Sequence, residues 1–593
     1  MLIRILLLAL VCFLALCATV PARAGDVVGK VVVGYQGWHD AEGSGSPVNG
    51  WWHFSRHGGP LKAGNIAVEM WPDTREYTKL YKTDFAPLGN GQPAQLYSDY
   101  DYSTVLTHFK WMSQYGIDCA ALQRFHDQPE LRNDVSLNVK KAAEATGEKF
   151  YIMYDVSGWN TFGDDLPKDW NDTLVGKLHL TDSSAYAREG GKPVVCIWGF
   201  GFGDRPDEPV AALQTVNWFK AHGCYVILGV PRDFRNDQKF ADVYKASNML
   251  SPWTVGSYKN VSGADDYRDH NLVPDLAFCK ANGIDYQPVI FPGFAWSNWQ
   301  KPPAPVNDFP RLHGDFMWEQ FANVRRTGIT NAYVAMFDEV NEGTAIYKVA
   351  EDDSMKPTDQ YFLTLDADGV HCSSDFYLRL VADGTAMVKG FTPLQDTLPT
   401  PHVVGETLFH TGFETADPAP DWINSPDTEY NKSPLNVVGY EKGTKPSCYP
   451  KEDMAHTGKR SLAFSGEANG GRKTYCTFKV FSFSEHPLEL SSTSTLSYAL
   501  YPSTDNARYT AIDLHFTDGS TLHDKNCLDQ SGNSINAAAG HGANIALNGW
   551  SQFTSPIGEQ FAGKKVDKIW VTFNRPEATG IYRGYIDDIL ITR

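Results

Sequence analysis

Short apolar runs alternate with helix-period segments through the first two thirds of the chain. Val31–Tyr35, Ile117–Gln123, Phe150–Asp155, Val194–Trp198, Cys224–Val230, Met249–Val255, Tyr286–Phe291 and Tyr333–Phe337 read as buried strands. A helix is expected from about Ser103, where Val105, Phe109 and Met112 recur at i, i+4 and i+7 and Gly116 offers a C-terminal cap. Further helices are expected near Ser136–Thr146, Thr173–Arg188, Pro209–His222, Asp237–Ser247, Pro274–Asn282 and Gly314–Thr327. In the last, Met317, Phe321 and Val324 share one face. Eight β/α units in about 360 residues is the count for a (β/α)8 TIM barrel with enlarged loops. A doubly wound sheet is the rival, but such sheets usually carry a glycine-rich phosphate turn after strand one. Here that strand is followed by Gln36-Gly37-Trp38-His39.

Phe391–Thr407 holds Pro393, Pro399 and Pro401 among scattered apolar residues and reads as a linker. Beyond it the pattern is β only: Ser461–Ser465, Tyr475–Phe481, Thr495–Tyr501, Tyr509–Phe516, Lys568–Phe573 and Tyr585–Thr592, with Asp518-Gly519 as a hairpin turn. A jelly-roll-like β-sandwich of about 185 residues is expected. The organisation anticipated is therefore a barrel over 25–390, a linker over 391–407 and a sandwich over 408–593.

Residues 1–24 differ from both units. Arg4 precedes an apolar run from Ile5 to Val20, and Ala22-Arg23-Ala24 follows, as in a secretory signal cleaved before Gly25. The run is short of the ~20 residues a membrane span needs, so an exported protein without a transmembrane segment is expected. The net charge of −18 becomes two units more negative without Arg4 and Arg23, which disfavours nucleic acid and anionic membrane as partners. A monomer is expected. With 42% hydrophobic and 13% aromatic residues the chain is globular. No cysteine or histidine cluster has zinc spacing; Cys448 with Cys476 could form a disulfide in an oxidising compartment.

The chemistry is expected in Asn331–Lys348, where a strand opens onto Asp338, Glu339, Asn341 and Glu342. Barrel enzymes present their acids at strand C-termini. On a helical turn, Glu339 and Glu342 would have Cβ atoms ~5–6 Å apart, compatible with the ~5–5.5 Å carboxyl separation of a retaining glycosidase. Two acids at this spacing also occur on ordinary solvated turns, so the surroundings matter. Aromatic and polar residues recur at strand ends: Tyr35, Trp38 and His39; Arg124 and His126; Asp155; Trp198; Arg232; Tyr258; Trp296. The long segment after strand one adds Trp51, Trp52, His53, Trp71, Tyr77 and Tyr81. Sugars need aromatic faces for their CH groups and polar side chains for their hydroxyls. No strand-end His/Asp spacing suggests a catalytic metal, and no cofactor is expected for catalysis. In the sandwich, Glu414 and Asp588 lie near the two ends of the unit and could share a structural Ca2+.

Phe337–Thr344, with its E-x-x-E-G-T core, resembles the acid motif of glycoside hydrolase family 99, and family 71 is related. The likeness extends to Gly34-Tyr35…Trp38 and the barrel pattern, over about residues 30–390. Those enzymes are retaining endo-acting α-mannosidases and α-mannanases, and family 71 acts on α-1,3-glucan. In family 99 the two acids flank Trp-His; here they flank Val340-Asn341, which puts the substrate in question more than the chemistry. The resemblance implies that Glu339 deprotonates the sugar 2-hydroxyl to form a 1,2-anhydro intermediate. It also implies that Glu342 serves the leaving group and then water. The sandwich looks like an appended carbohydrate-binding module. A glycosidase on an α-glucan or an arabinose- or xylose-containing polymer, and a sugar-binding barrel without turnover, are the alternatives.

Overall fold

A computed structural model describes residues 25–593 except 301–303, 404, 406, 422–425, 428–432 and 544; the expected signal segment 1–24 lies outside the described residues. The first unit is built on parallel strands β1 (Val31–Tyr35), β2 (Cys119–Arg124), β3 (Lys149–Asp155), β4 (Lys192–Trp198), β5 (Tyr225–Pro231), β6 (Met249–Trp253), β7 and β8 (Ala332–Val334). β7 comes in two pieces, Asp285–Tyr286 and Val289–Ile290. The first piece pairs with β6 and the second with β8, while β8 pairs with β1. Gln287-Pro288 thus interrupts the strand where the sheet joins its own far edge, giving a TIM-like parallel barrel. The strands are buried on nearly every residue, as expected of a sheet with helices outside and packed side chains inside.

The helices α1 (Tyr102–Gln114), α2 (Pro129–Thr146), α3 (Phe162–Lys168), α4 (Pro209–Ala221), α5 (Ala241–Ala246), α6 (Val261–Tyr267), α7 (Val273–Asn282), α8 (Asp315–Arg326) and α9 (Phe376–Val388) cover it. α2 starts on Pro129, whose missing N–H costs nothing at a helix start, and stops at Gly147 with φ 79°. Two expectations need correction. No helix runs over Thr173–Arg188: the helical chain begins earlier, at Phe162, and ends at Val175, because Gly176 and the turns after it lead into the short strand Arg188–Glu189. The last strand ends at Val334 and not Phe337. Beyond it the chain bonds irregularly, from Ala335 N to Ile290 O and from Phe337 N to Gly34 O, and it is free to turn.

The C-terminal residues form two antiparallel sheets around one hydrophobic cluster, separate from that of the barrel. The larger sheet contains β9 (Thr407–Thr411), β10 (Ser447–Lys451), β11 (Ser461–Asn469), β13 (Leu496–Pro502), β15 (Ser551–Ser555) and β17 (Thr579–Thr592). The smaller contains β12 (Tyr475–Ser482), β14 (Thr510–Phe516) and β16 (Lys565–Asn574). Phe573 of one sheet stacks on Tyr582 of the other at 3.9 Å. The eight described cysteines are buried free thiols. Cys448 and Cys476 sit in opposite sheets as small core residues, not as the expected disulfide.

The Thr457–Lys459 turn docks on the C-terminal caps of α1 and α2. Gly116 lies so close that an added Cβ would be 2.8 Å from Thr457 Cβ, and Lys459 Nζ donates to Gly147 O. Both caps precede the starts of barrel strands, so the two C-terminal sheets are attached at the face opposite the strand C-termini. The segment read as a linker packs along the last two helices. Gln395 O accepts from Trp318 Nε1 at 3.1 Å and Pro401 O from Arg379 Nη1 at 2.6 Å.

Candidate active site

At the C-terminal ends of the strands the chain after β8 makes a tight turn over Val340–Gly343. Gly343 has φ 62° and sits 3.1 Å, at its Cβ position, from Ala295 O, so a side chain there would be strained and crowded. Asp338, before the turn, accepts from Gln36 N at 2.8 Å and Gly37 N at 2.9 Å. This ties the turn to the segment after neighbouring β1. Glu339 accepts three hydrogen bonds: from Asn341 N at 2.8 Å, Glu342 N at 3.2 Å and Gln36 Nε2 at 2.9 Å. No described residue hydrogen-bonds the Glu342 carboxyl, which faces a cleft of about 910 Å³.

These environments set the two acids apart. Burial pushes Glu342 up to about 7. Burial also raises Glu339 well above its usual range, with the charges of Glu342 and Asp338 adding to it, while the N–H groups of Asn341 and Glu342 pull the other way. Asp338, wholly buried, is raised to about 7 for the same reason, opposed by its backbone bonds. Three N–H donors hold Glu339 in place and none among the described residues reaches Glu342, so the turn fixes one carboxylate and leaves the other facing the cleft.

Asn341 is fixed from two sides: its Nδ2 donates to His53 O at 2.6 Å and its Oδ1 lies 3.1 Å from His39 Nε2. The amide orientation puts the His39 proton on Nε2, and burial keeps this imidazole neutral by lowering it to about 3. His53 stacks on Trp38 at 3.7 Å and 8°, and Trp38 stacks on Phe125, under which lies Arg132. The cleft wall is thus aromatic on one side. Trp51, Trp52, Arg56 and Trp299 extend it. His39, Asp99 and Asp338 bring potential metal-ligating atoms within 4.8 Å of one another, a grouping seen only there among the described residues. His39 Nε2 and both Asp338 oxygens are engaged in hydrogen bonds, and His39 Nδ1 faces Asp99 at 3.8 Å.

Of the residues singled out from sequence, Trp38, Trp51, Trp52, His53, His126, Glu339, Asn341 and Glu342 line the cleft. Several others are structural. Tyr35 is fully buried and bonds His108 Nδ1 at 2.9 Å; Trp71 packs against Phe85 and Phe362. Arg124 holds Asp169 through two nitrogens, and Tyr258 donates to Gln320 in the barrel wall. Each is taken up by partners inside the protein and none lines the cleft. His39 acts beneath the cleft. Asp155 accepts from Ser157, Trp198 stacks on Phe202, Arg232 reaches Ser257 O and Trp296 leans on Trp299, all outside the lining. Gln36, Phe125 and Arg132 were not given a role from sequence; Asn341 was named in the acid stretch, but its part in holding Glu339 was not.

Glu414 and Asp588 lie where the sandwich meets the barrel. Glu414 accepts from Lys459 N at 2.7 Å and Arg460 N at 2.8 Å; Asp588 is bonded by His456 Nδ1 and Thr457 Oγ1, both at 2.6 Å. Burial pushes Glu414 up to about 7. Burial also works to raise Asp588, but His456 and Thr457 outweigh it and hold it below the usual range.

No protein-family model and no curated protein matches this chain. Among solved structures it is similar to a GH99 endo-alpha-mannosidase from Bacteroides thetaiotaomicron, at 14% identity and a TM-score of 0.44 over 61% of this chain and 98% of that one. It is similar to a glycoside hydrolase-like protein at 16% identity and a TM-score of 0.39, over 62% and 97% of the two chains. The glycoside hydrolase domain of Endo-D from Streptococcus pneumoniae R6 is similar at 10% identity and a TM-score of 0.22, over 96% and 76%. No helix among the described residues is long and apolar enough to cross a membrane.

Proposed function

We propose that the protein is a glycoside hydrolase that cleaves α-linked glycans through Glu339 and Glu342 with retention of configuration. The observation that carries this reading is the contrast between two glutamates on one turn. Glu339 is gripped by three hydrogen bonds, and Glu342 stands free in an aromatic-walled cleft. The gripped carboxylate, whose donors favour its charged form, suits a base, and the one that faces the cleft without a donor suits an acid. By the family resemblance, Glu339 takes the proton of the sugar 2-hydroxyl as that oxygen attacks the anomeric carbon. Glu342 gives its proton to the departing glycosidic oxygen. Water, deprotonated by Glu342, then opens the 1,2-anhydro ring, and Glu339 returns the proton to the 2-oxygen. Trp38, His53 and Trp299 offer rings for sugar stacking.

Endo action on an α-mannan is the substrate assignment; a different α-glucan or pentose-containing polymer would use the same acids. Export before Gly25, a monomeric state, two separable units at 391–407 and a jelly-roll-like carbohydrate-binding C-terminal unit belong to the same proposal. So does a Ca2+ near Glu414 and Asp588, where Asp417 and Asp587 also approach Gly412; a melting temperature indifferent to chelator would remove the ion. The deciding experiment incubates wild type and Glu339→Gln with a panel of α-mannans, α-glucans and xylans and sizes the products. Release of oligosaccharides by wild type alone is expected. No release from any polymer would overturn the reading in favour of a sugar-binding barrel.

A further inference from the structure

The two outer faces of the C-terminal sandwich differ. That of the larger sheet is turned toward the barrel, where Ser497, Gln552, Thr554 and Thr592 line a cleft opposite Arg379 and Asp383 of α9. That of the smaller sheet carries a separate cavity of about 170 Å³. In β14 and β16, Ile512, Leu514, Val571 and Phe573 belong to the core. Asp513 and Thr572 alternate with them and so stand on the outside. Yet Asp513 is only 5% exposed. A carboxylate buried on the outer face of a sheet needs a reason, because covering it costs free energy and packs no core.

The cover is a loop folded back over the sheet edge after the turn at Asp518-Gly519. Thr521 and Asp524 cap each other at the base of this loop and so fix the position of His523 between them. His523 Nδ1 pairs with Asp513 Oδ2. Asn536 approaches from the far side of the loop and reaches His523 O. Leu522 and Ile535 supply an apolar wall, and Tyr475, Lys525 and Asn574 stand at the edge. Burial works to lower the His523 imidazole, but Asp513 outweighs it and holds it above its ordinary value.

We propose that this cavity is a glycan-binding site that takes one pyranose unit of a neutral polysaccharide, with Asp513, His523 and Asn536 meeting its hydroxyls. The proposal rests on the reading of the C-terminal unit as carbohydrate-binding, and gives it a place. The chemistry selects the ligand class. An anionic group would meet the Asp513 carboxylate, and a bare cation would meet His523 and Lys525. A sugar, with an apolar CH face and hydroxyls that both donate and accept, matches walls of both kinds. The site lies on the sheet facing away from the barrel. It therefore binds polymer without extending the catalytic cleft, and holds the enzyme on its substrate.

The test is affinity electrophoresis of the full chain carrying Glu342→Gln, through gels containing soluble α-mannan, amylopectin or xylan. Retardation by at least one polymer is expected, with at least a tenfold weaker apparent affinity when Asn536→Ala or His523→Ala is added. Asn574→Ala, at the edge of the cavity, provides a variant that leaves the Asp513 pair intact and should weaken retardation several-fold. In the wild-type background the same substitutions should leave turnover of a short soluble oligosaccharide unchanged, which separates this site from the barrel's chemistry. Retardation that survives all three substitutions, or that is abolished by Trp38→Ala instead, would overturn the proposal, as would passage unhindered by every polymer. A chain that hydrolyses nothing yet shows the expected loss of retardation keeps this site while the catalytic reading fails.

Discussion

His39 Nε2 and Asn341 Oδ1 lie 3.1 Å apart, with both side chains buried beneath the catalytic turn. Asn341 stands between the two glutamates, and its backbone N–H is one of the donors that grip Glu339. Its side chain is held by His39 below and His53 O beside it, so the segment after β1, some three hundred positions away, fixes the turn. Asn341→Ala should lower kcat by about 10²-fold, the scale expected of a small misplacement of reacting groups, while KM changes little. His39→Gln, which can present an amide N–H in the same direction, should retain far more activity than His39→Ala. Equal losses in both His39 variants would show that the ring only fills space.

As the proposed acid, Glu342 should be required to the extent that the leaving group needs a proton. Glu342→Gln should lose 10²–10⁴-fold on natural glycans and much less on an aryl glycoside whose leaving group needs no proton. In wild type, activity should fall as pH rises through about 7, the value to which burial pushes this carboxyl. The alkaline limb should vanish in Glu342→Gln assayed on the activated substrate, provided that bond cleavage limits its turnover. A limb that persists belongs to another group.

As the proposed base, Glu339 has a role that no leaving group relieves. Glu339→Gln should be inactive on both substrates, and a 2-deoxy sugar should be inert with wild type because the attacking hydroxyl is missing. Proton NMR of the first product should show retained anomeric configuration; inversion would sink the proposed route even if both glutamates proved essential.

The acids should also tax stability. Asp338, Glu339 and Glu342 all have folded-state affinities for protons above their unfolded values. Their contribution is therefore fully present below the unfolded values near 4 and is lost as pH rises, through about 7 for Asp338 and Glu342. Glu342→Gln removes one ionisation, so it should raise Tm relative to wild type at pH 8 and change it little at pH 4. A stabilisation of equal size at both pH values would point to packing instead of charge.

The apolar runs alone located each barrel strand, because a strand buried on both faces must be apolar along its whole length. They also located most of the helices and the change to β pattern after the barrel. Glycine and proline set several boundaries, as at Pro129 and Gly147. The acid turn was legible because a dry strand ran into four polar residues. What the sequence did not decide was which strand-end residues face the cleft. Tyr35 and Trp71 read the same as Trp38 along the chain, yet the first two are buried in packing and the third lines the site. Nor could it show that Gln36, some three hundred positions from Glu339, supplies that carboxylate with a hydrogen bond. Local pattern fixes whether a residue leaves water, since that depends on its own chemistry. Which partner it meets depends on the pairing of β1 with β8 that brings distant loops together, and only the closed barrel sets that.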